Sequence, residues 1–237
     1  MDILKKILGG NTLYYPGCLT KTVGRDLQKD WEEILKINGI DFIKLDKLEV
    51  CCGSPALSAG GKEIFKKLAL KNFKIFKQHG INRIVTNCPA CFFIFKKEYS
   101  KVLKEKWDIE VRHALELIKT PSISKKKNIK VTYHDPCHLG RKMGLFDKPR
   151  EIIKAVGYEL IEMDLTKKDS YCCGGGGGVK SNETNLANQI AQARIDQAKK
   201  TRAKILITSC PLCYFNLKEN SLGLAVKEIS EVIINND

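Results

Sequence analysis

Cysteines recur in the same order and at nearly the same spacing in the two halves of this chain. In each half a single cysteine is followed by a vicinal pair and then by a C-P-x-C motif, giving ten cysteines in 237 residues. The stretches from the single cysteine to the pair are 32 and 34 residues long, and those from the pair to the motif are 35 and 36. Agreement at so many positions indicates an internal duplication. The chain is therefore expected to consist of two equivalent units.

Apolar strands alternate with amphipathic helices through both halves. The predicted strands occupy residues 12–15, 41–45, 83–86, 109–111, 131–134, 160–163 and 205–208, with a last one around Val226. The predicted helices occupy residues 21–38, 61–79, a segment starting at Cys88, 113–119, 147–156, 183–200 and 228–234. This alternation predicts an α/β fold of two pseudo-symmetric repeats, 1–120 and 121–237, each a small parallel sheet with flanking helices.

Each cysteine group follows a predicted strand. Parallel sheets bind ligands at the carboxyl ends of their strands, so the cysteines of each half are expected to converge there. The first set contains Cys18, Cys51, Cys52, Cys88 and Cys91. The second set contains Cys137, Cys172, Cys173, Cys210 and Cys213. These sets are termed the first and the second thiol site.

Composition narrows the class of protein. The first ten residues have too short an apolar run for a signal peptide, and no window approaches the ~18 uncharged apolar residues of a membrane span. A cytoplasmic protein is expected, associated with a membrane only through a partner. The net charge of +14 is suited to offsetting anionic clusters or steering an acidic partner. Nucleic acid is disfavoured as a partner, because the lysines are dispersed and no basic stripe carries interleaved aromatics.

The ten thiols indicate metal ligation or catalysis, since structural disulfides are rare in a reducing compartment. Zinc takes four ligands in a closed tetrahedron, which would leave one thiol over in each half. Vicinal cysteines direct their side chains apart, which suits a cluster with several metal atoms better than one small ion. A helix beginning at C-P-x-C also favours thiolate. Iron–sulfur clusters are the favoured interpretation, with zinc and a thiol–disulfide relay as alternatives.

These features resemble the duplicated cysteine-rich CCG domain family. The resemblance covers about residues 12–220 and rests on the cysteine pattern together with Tyr15-Pro16-Gly17-Cys18, His134-Asp135-Pro136-Cys137-His138-Leu139-Gly140-Arg141 and the five glycines after Cys173. The family includes the B- and D-type subunits of heterodisulfide reductase. It also includes iron–sulfur subunits of lactate, glycolate and glycerol-3-phosphate oxidising systems.

The resemblance implies a [4Fe-4S] cluster at each thiol site, of the noncubane kind in the B-type subunits, held by all five cysteines of the set. It implies a redox subunit that acts on disulfides or thiols, with a ferredoxin-like subunit and a flavoprotein subunit as partners. No ferredoxin-like motif precedes Cys18, so a separate subunit is expected to deliver the electrons. The alternatives are an electron-transfer subunit of a flavin-dependent oxidase in a 2-hydroxy-acid or glycerol-3-phosphate pathway, and a zinc-stabilised interaction module.

Catalysis is expected at the second thiol site, where Cys137, Cys172, Cys173, Cys210, Cys213 and His138 are the candidate catalytic residues. His134 and His138 flank Cys137 and suit either proton donation to a departing thiolate or hydrogen bonding to sulfur. Five glycines follow Cys173, where the first half has Ser54-Pro55-Ala56-Leu57 after its own glycine. Bare glycine predicts that the second site is the more open and faces the substrate.

Overall fold

The first repeat begins with a buried strand and alternates strands with helices. The computed structural model describes residues 10–103, 107–120 and 126–234. The elements of the first repeat are β1 (Asn11–Tyr14), α1 (Cys18–Thr22), α2 (Arg25–Ile37), α3 (Ser54–Ser58), α4 (Lys62–Gln78), β2 (Ile81–Thr86), α5 (Pro89–Phe93), α6 (Tyr99–Val102), β3 (Glu110–His113) and α7 (Ala114–Leu117). A π-helical turn (Ile94–Glu98) joins α5 to α6. Helix α5 begins at Pro89, where the missing N–H would have no helical partner.

The second repeat follows the same order. Its elements are β4 (Lys130–His134), a π-helical turn (His138–Lys142), α8 (Asp147–Ala155), β5 (Glu159–Leu160), α9 (Val179–Asn182), α10 (Thr184–Lys200), β6 (Ile205–Thr208), α11 (Pro211–Glu219), β7 (Ala225–Glu228) and α12 (Ile229–Ile234). Among the described helices, none combines the length and the apolar character that a bilayer crossing needs.

Both sheets are parallel and share one strand order. The first runs β1-β2-β3, with a single parallel bridge from Leu13 to Ile43 on the outer side of β1. The second runs β5-β4-β6-β7. With Ile43 counted in the place of β5, the two orders are the same. The predicted α/β class with small parallel sheets is confirmed.

The outermost strand of each sheet is shorter than the sequence predicts. The predicted strand over 41–45 is reduced to the bridge at Ile43, and the one over 160–163 is replaced by β5, which has two residues. Both segments then enter a 3₁₀ turn at a residue with positive φ, Asp46 at 41° and Lys167 at 52°. The chain leaves the sheet early because this turn directs it to the edge where the vicinal cysteines lie. A short edge strand also offers little surface for unwanted pairing.

The last strand of each repeat ends in a buried residue that caps the following helix. His113 Nδ1 accepts a hydrogen bond from the Leu115 N–H at 3.3 Å, and Glu116 accepts one from the His113 N–H at 2.8 Å. In the second repeat, Glu228 accepts from the Ser230 N–H and Glu231 accepts from the Glu228 N–H, both at 2.7 Å. Paired caps of this kind satisfy N–H groups that a helix start leaves free. The duplication therefore extends to a segment without cysteines.

The larger of two buried hydrophobic clusters spans both repeats. Leu13 and Val85 of the first sheet belong to the same buried cluster as Tyr133 and Ile207 of the second. Helix α2 packs against α12 of the other repeat, and α7 packs in the same way against α8. The predicted boundary at residue 120 stays a prediction, because the linker 121–125 lies outside the described residues.

Candidate metal centres: two five-thiol sites

The first thiol site is assembled from three loops at the carboxyl edge of the first sheet. Cys18 begins α1, the vicinal pair precedes α3, and the C-P-x-C motif starts α5. The side chains contact one another in an unbroken order, which is Cys18, Cys51, Cys52, Cys91 and Cys88. The Sγ atoms of Cys91 and Cys52 are 3.3 Å apart. The structure thus brings together the five cysteines that the spacing groups.

The second thiol site reproduces this arrangement. Its side chains contact in the matching order Cys137, Cys172, Cys173, Cys213 and Cys210. All ten cysteines are free thiols. Two sites with one internal order show that the duplication preserves the geometry of the thiols as well as their spacing.

The crowding of thiols shifts their ionisation. Hydrogen bonds from neighbouring thiols, first of all from the single cysteine of each half, lower the pKa of Cys51 and Cys172. The pKa of Cys18 and Cys137 is raised, because each donates to that neighbour and is partly buried. Further thiolates in the same space would repel one another. A site ionised at all five positions therefore requires a cationic centre.

Polar side chains hold the vicinal cysteines of the first site from behind. The Asn72 amide donates to the Cys51 carbonyl at 3.1 Å and to the Tyr99 hydroxyl at 2.9 Å. The Tyr99 hydroxyl in turn donates to the Cys52 carbonyl at 3.1 Å. Asn72 and Tyr99 are fully buried, so these bonds fix the backbone of the pair in a dry environment.

The loop of the second site is held by different residues. The Asn216 amide donates to the Cys173 carbonyl at 2.6 Å, and Arg141 donates to the Ser170 carbonyl at 2.6 Å. In the first site, Lys21 donates to the Asp46 carbonyl in a similar position. A basic residue just after the single cysteine thus ties down the loop before the vicinal pair in each half.

The donor set and its cradle fit an iron–sulfur cluster. Gly17 has a φ of +83°, and a Cβ atom there would lie 3.2 Å from Cys91 Sγ, so glycine lets the backbone approach the thiols. The Gly53 N–H donates to Cys51 Sγ at 3.4 Å, and the Gly174 N–H donates to Cys172 Sγ at 3.3 Å. Backbone donors aimed at sulfur, with five thiols in contact, match the surroundings of a thiolate-bound cluster.

The exposure of the thiols does not show the more open second site that the sequence predicts. In the first site Cys18 is exposed and Cys51 and Cys88 are half-buried. In the second site Cys172 is exposed and Cys137 is half-buried. A cavity of about 280 Å³ opens at the first site and is lined by Cys18 and Cys51 with Lys21, Lys47 and Glu49 among its other residues. A solvent-facing depression is therefore present in the half without the glycine run.

Close packing against two helices explains the first two glycines of the run. A Cβ atom at Gly174 would lie 2.4 Å from the Ala187 carbonyl oxygen of α10, and one at Gly175 would lie 3.2 Å from Leu212 of α11. These glycines let the loop lie directly on two helices instead of leaving space above the thiols. Gly176 differs, since a Cβ atom there would meet only Leu212, at 3.8 Å.

Replacing Gly174 with alanine is expected to lower the free energy of unfolding by about 1–3 kcal/mol, because the new methyl group overlaps a helix carbonyl. Chemical denaturation followed by circular dichroism measures the change. Gly176→Ala is the matched control and should change that free energy by less than about 0.5 kcal/mol. Equal losses in the two variants would contradict the packing explanation.

Each repeat places an aromatic ring against the segment that follows the single cysteine of the other. Phe93, at the end of α5, contacts the ring of His138 with centroids 5.7 Å apart. Phe215, on α11, packs at Gly24 after α1, where a Cβ atom would lie 3.3 Å from its ring. His138 Nδ1 lies 3.4 Å from Cys137 Sγ, so this candidate residue is beside the thiols, as the sequence predicts. The two thiol sites are thus connected through contacts between the repeats.

Sequence reasoning missed one buried charge beside the second site. Arg194 is fully buried on α10, and its Nε donates to His134 Nδ1 at 3.1 Å. A ring nitrogen of His134 and the Sγ atoms of Cys173 and Cys213 all lie within 4.8 Å of one another. One signal was present in the sequence, because Arg194 interrupts the otherwise apolar stripe of its helix.

Comparison with known proteins gives a family and a set of relatives. The sequence matches the family model described as a cysteine-rich domain, CCG, over residues 12–96 and again over 131–218. It is 35% identical over 235 residues to the D-type subunit of the dihydromethanophenazine:CoB--CoM heterodisulfide reductase of Methanosarcina acetivorans, covering 94% of this chain and 58% of that protein.

Two further relatives are an uncharacterized iron–sulfur protein of Methanocaldococcus jannaschii and the EtfAB:quinone oxidoreductase of Syntrophomonas wolfei. The first is 32% identical over 87% of this chain and 41% of its own length. The second is 29% identical over 93% of this chain and 32% of its own length. The chain thus spans well under two thirds of the length of these relatives.

Proposed function

Because the chain belongs to the CCG cysteine-rich domain family, we propose that it is the cluster-bearing, electron-transferring part of an oxidoreductase acting on disulfides or thiols. The observation that carries the proposal is the repeated order of five contacting thiols at the carboxyl edge of each sheet. The heterodisulfide reductase relative supports the substrate class.

The proposal assigns a [4Fe-4S] cluster to each five-cysteine set, and such a cluster supplies one-electron steps when bound. The first site would pass electrons to the second, and the substrate disulfide would be reduced at the second site. The cysteines of that site are Cys137, Cys172, Cys173, Cys210 and Cys213. What supports this division is His138, which is beside Cys137 while the first half has Leu19 in that place. The His138 ring would hold a proton for the departing thiolate.

The balance of the reaction defines what a partner must provide. Cleaving one disulfide bond to two thiols consumes two electrons and two protons. The proposed donor is a ferredoxin-like iron–sulfur subunit, which delivers electrons singly, with a flavoprotein subunit before it. The relative named as a subunit of a heterodisulfide reductase supports a complex of several subunits.

Anaerobic purification with assays for iron, acid-labile sulfide and zinc tests the proposal. About eight iron and eight sulfide atoms per chain are expected if two [4Fe-4S] clusters are present. Stoichiometric zinc without sulfide would overturn the redox function and favour the zinc-stabilised interaction module.

A second candidate function is electron transfer toward quinone from a flavin-dependent oxidase or dehydrogenase, which the EtfAB:quinone oxidoreductase relative favours. Stopped-flow mixing separates the two. Reduced protein that is reoxidised by the CoB–CoM heterodisulfide but not by a soluble quinone supports disulfide chemistry. The reverse result supports the quinone pathway.

Helix α4 presents a basic face that suits an acidic electron donor. Six exposed lysines lie along it, and it has one acidic residue, Glu63. Ile64 and Leu70 on the same helix are 60% and 46% exposed. The equivalent helix α10 has no such face, since its exposed lysines are the last two residues. Of these two equivalent helices only α4 carries a basic face, and we propose that an acidic ferredoxin-like protein docks there.

Reversing the charge on this face is expected to slow electron delivery. The triple variant Lys67→Glu/Lys71→Glu/Lys74→Glu should lower the second-order rate constant with a reduced acidic ferredoxin by about 10-fold or more at low ionic strength. Stopped-flow absorbance at low and high salt measures it, and the difference should shrink as salt screens the charges.

The matched control is Lys199→Glu/Lys200→Glu/Lys204→Glu, which makes the same change in net charge on exposed lysines of the second repeat. This control is expected to change the rate much less. Equal slowing in both triple variants would show that overall charge, and not the α4 face, governs the encounter.

A further inference from the structure

A buried arginine and a histidine stand behind the second thiol site. Arg194 Nε donates a hydrogen bond to His134 Nδ1 at 3.1 Å. Its Nη1 donates to the Leu165 carbonyl at 2.9 Å and to Gln197 Oε1 at 2.6 Å. Within the described part of the chain, Arg194 Nη2 and His134 Nε2 are buried and have no hydrogen-bond partner. Buried polar atoms without partners are uncommon and call for an explanation.

The contact with arginine fixes the tautomer of His134. A guanidinium group has only donors, so Nδ1 must accept with its lone pair. The proton of the neutral ring then lies on Nε2, which makes the unpartnered atom an N–H donor. A ring nitrogen of His134 and the Sγ atoms of Cys173 and Cys213 lie within 4.8 Å of one another. Sulfur of the second site is therefore the partner left for this donor.

Within the residues that the structure describes, the first site lacks an equivalent arginine–histidine pair. Tyr15 precedes Cys18 by the same three positions as His134 precedes Cys137, but its hydroxyl donates to the Val50 carbonyl at 2.7 Å. Asn72 lies in α4 near the place that Arg194 has in α10, and it is uncharged and donates to the Cys51 carbonyl. The duplication is broken at both positions, and the second repeat gains one donor and one positive charge.

We propose that Arg194 is a positioning residue that holds His134 as an N–H donor to sulfur of the second thiol site, so that a cluster there has a higher reduction potential than one at the first. Hydrogen bonds to cluster sulfurs and nearby positive charge both stabilise the reduced form. Electrons entering the chain would then collect at the second site. This inference rests on the proposed function, and it adds a direction for the electrons.

The test is a potentiometric titration of the anaerobically purified protein, followed by electron paramagnetic resonance. Cys52→Ser isolates the second site, and Cys173→Ser isolates the first. In the Cys52→Ser protein, His134→Leu should lower the ratio of reduced to oxidised cluster at a fixed potential by about 10-fold, equivalent to about 59 mV for one electron. His134→Gln, which retains an N–H in a similar place, should restore most of the ratio.

Two further variants keep the proposal falsifiable. Arg194→Gln should shift the titration in the same direction if His134→Leu retains too little iron to measure. Tyr15→Phe in the Cys173→Ser protein is the matched control and should leave the first site unchanged. An unmoved titration in iron-replete His134→Leu and Arg194→Gln proteins overturns this inference alone. Zinc without sulfide in the parent protein overturns it together with the proposed function.

Discussion

Replacing Cys173 with serine is expected to remove about half of the iron and sulfide from the anaerobically purified protein. Cys173 is buried in the middle of its contact order, between Cys172 and Cys213, so its loss divides the second site. The first site is built from separate loops and should keep its content. Metal and sulfide assays, with electron paramagnetic resonance of the reduced protein, measure the result.

Cys52→Ser is the symmetrical experiment and should remove the other half. The double variant should contain almost no iron, because neither set can then surround a cluster. Disulfide reduction should be lost in the Cys173→Ser protein even though its first site is intact, since the proposal places the reaction at the second site. Iron retained at the parental level in both single variants would contradict the assignment of five ligands to each cluster.

Replacing Arg150 with alanine is expected to lower the free energy of unfolding by about 3–5 kcal/mol. The Arg150 guanidinium donates to both carboxylate oxygens of Asp135, at 2.7 and 2.9 Å, and the Asp135 side chain is 2% exposed. Without Arg150 this buried carboxylate loses its paired cation and keeps the hydrogen bond from the Lys167 N–H, at 2.8 Å. Urea denaturation of the parent and the variant gives the difference.

Arg112→Ala is the matched control, because Arg112 also pairs with a carboxylate, Glu110, at 2.7 Å. Both side chains of that pair are well exposed, at 43% and 38%. Water and salt weaken such a pair, so its loss should cost less than about 1 kcal/mol. A similar cost for both arginines would show that burial does not decide the strength of the Arg150 pair.

The sequence was most informative where one rule applied to both halves. Cysteine spacing grouped the thiols correctly, because parallel strands bring the residues that follow them to one edge. The edge strands were harder to predict. Asp41-Phe42-Ile43-Lys44-Leu45 has strand composition, but only Ile43 pairs, since the turn at Asp46 draws the chain out of the sheet.

The glycine run shows a second limit of prediction from sequence. Glycine occurs both where a loop is open and where backbone packs against backbone. The sequence alone does not distinguish these two cases. Gly174 packs against backbone, and this becomes visible only from the position of Ala187 on helix α10. The contact of Arg194 with His134 is a similar case, because 60 residues separate the two along the chain.

The contacts between the repeats have a consequence for the origin of this fold. Phe93 of the first repeat packs at His138 of the second, and Phe215 of the second packs after α1 of the first. Helix α2 meets α12 and α7 meets α8 with the same reciprocity. An interface in which equivalent elements exchange contacts is that of a two-fold symmetric dimer. The chain is thus built like two protomers of a homodimer joined end to end. Within a single chain the two halves can differ from each other, as they do at Arg194 and His134.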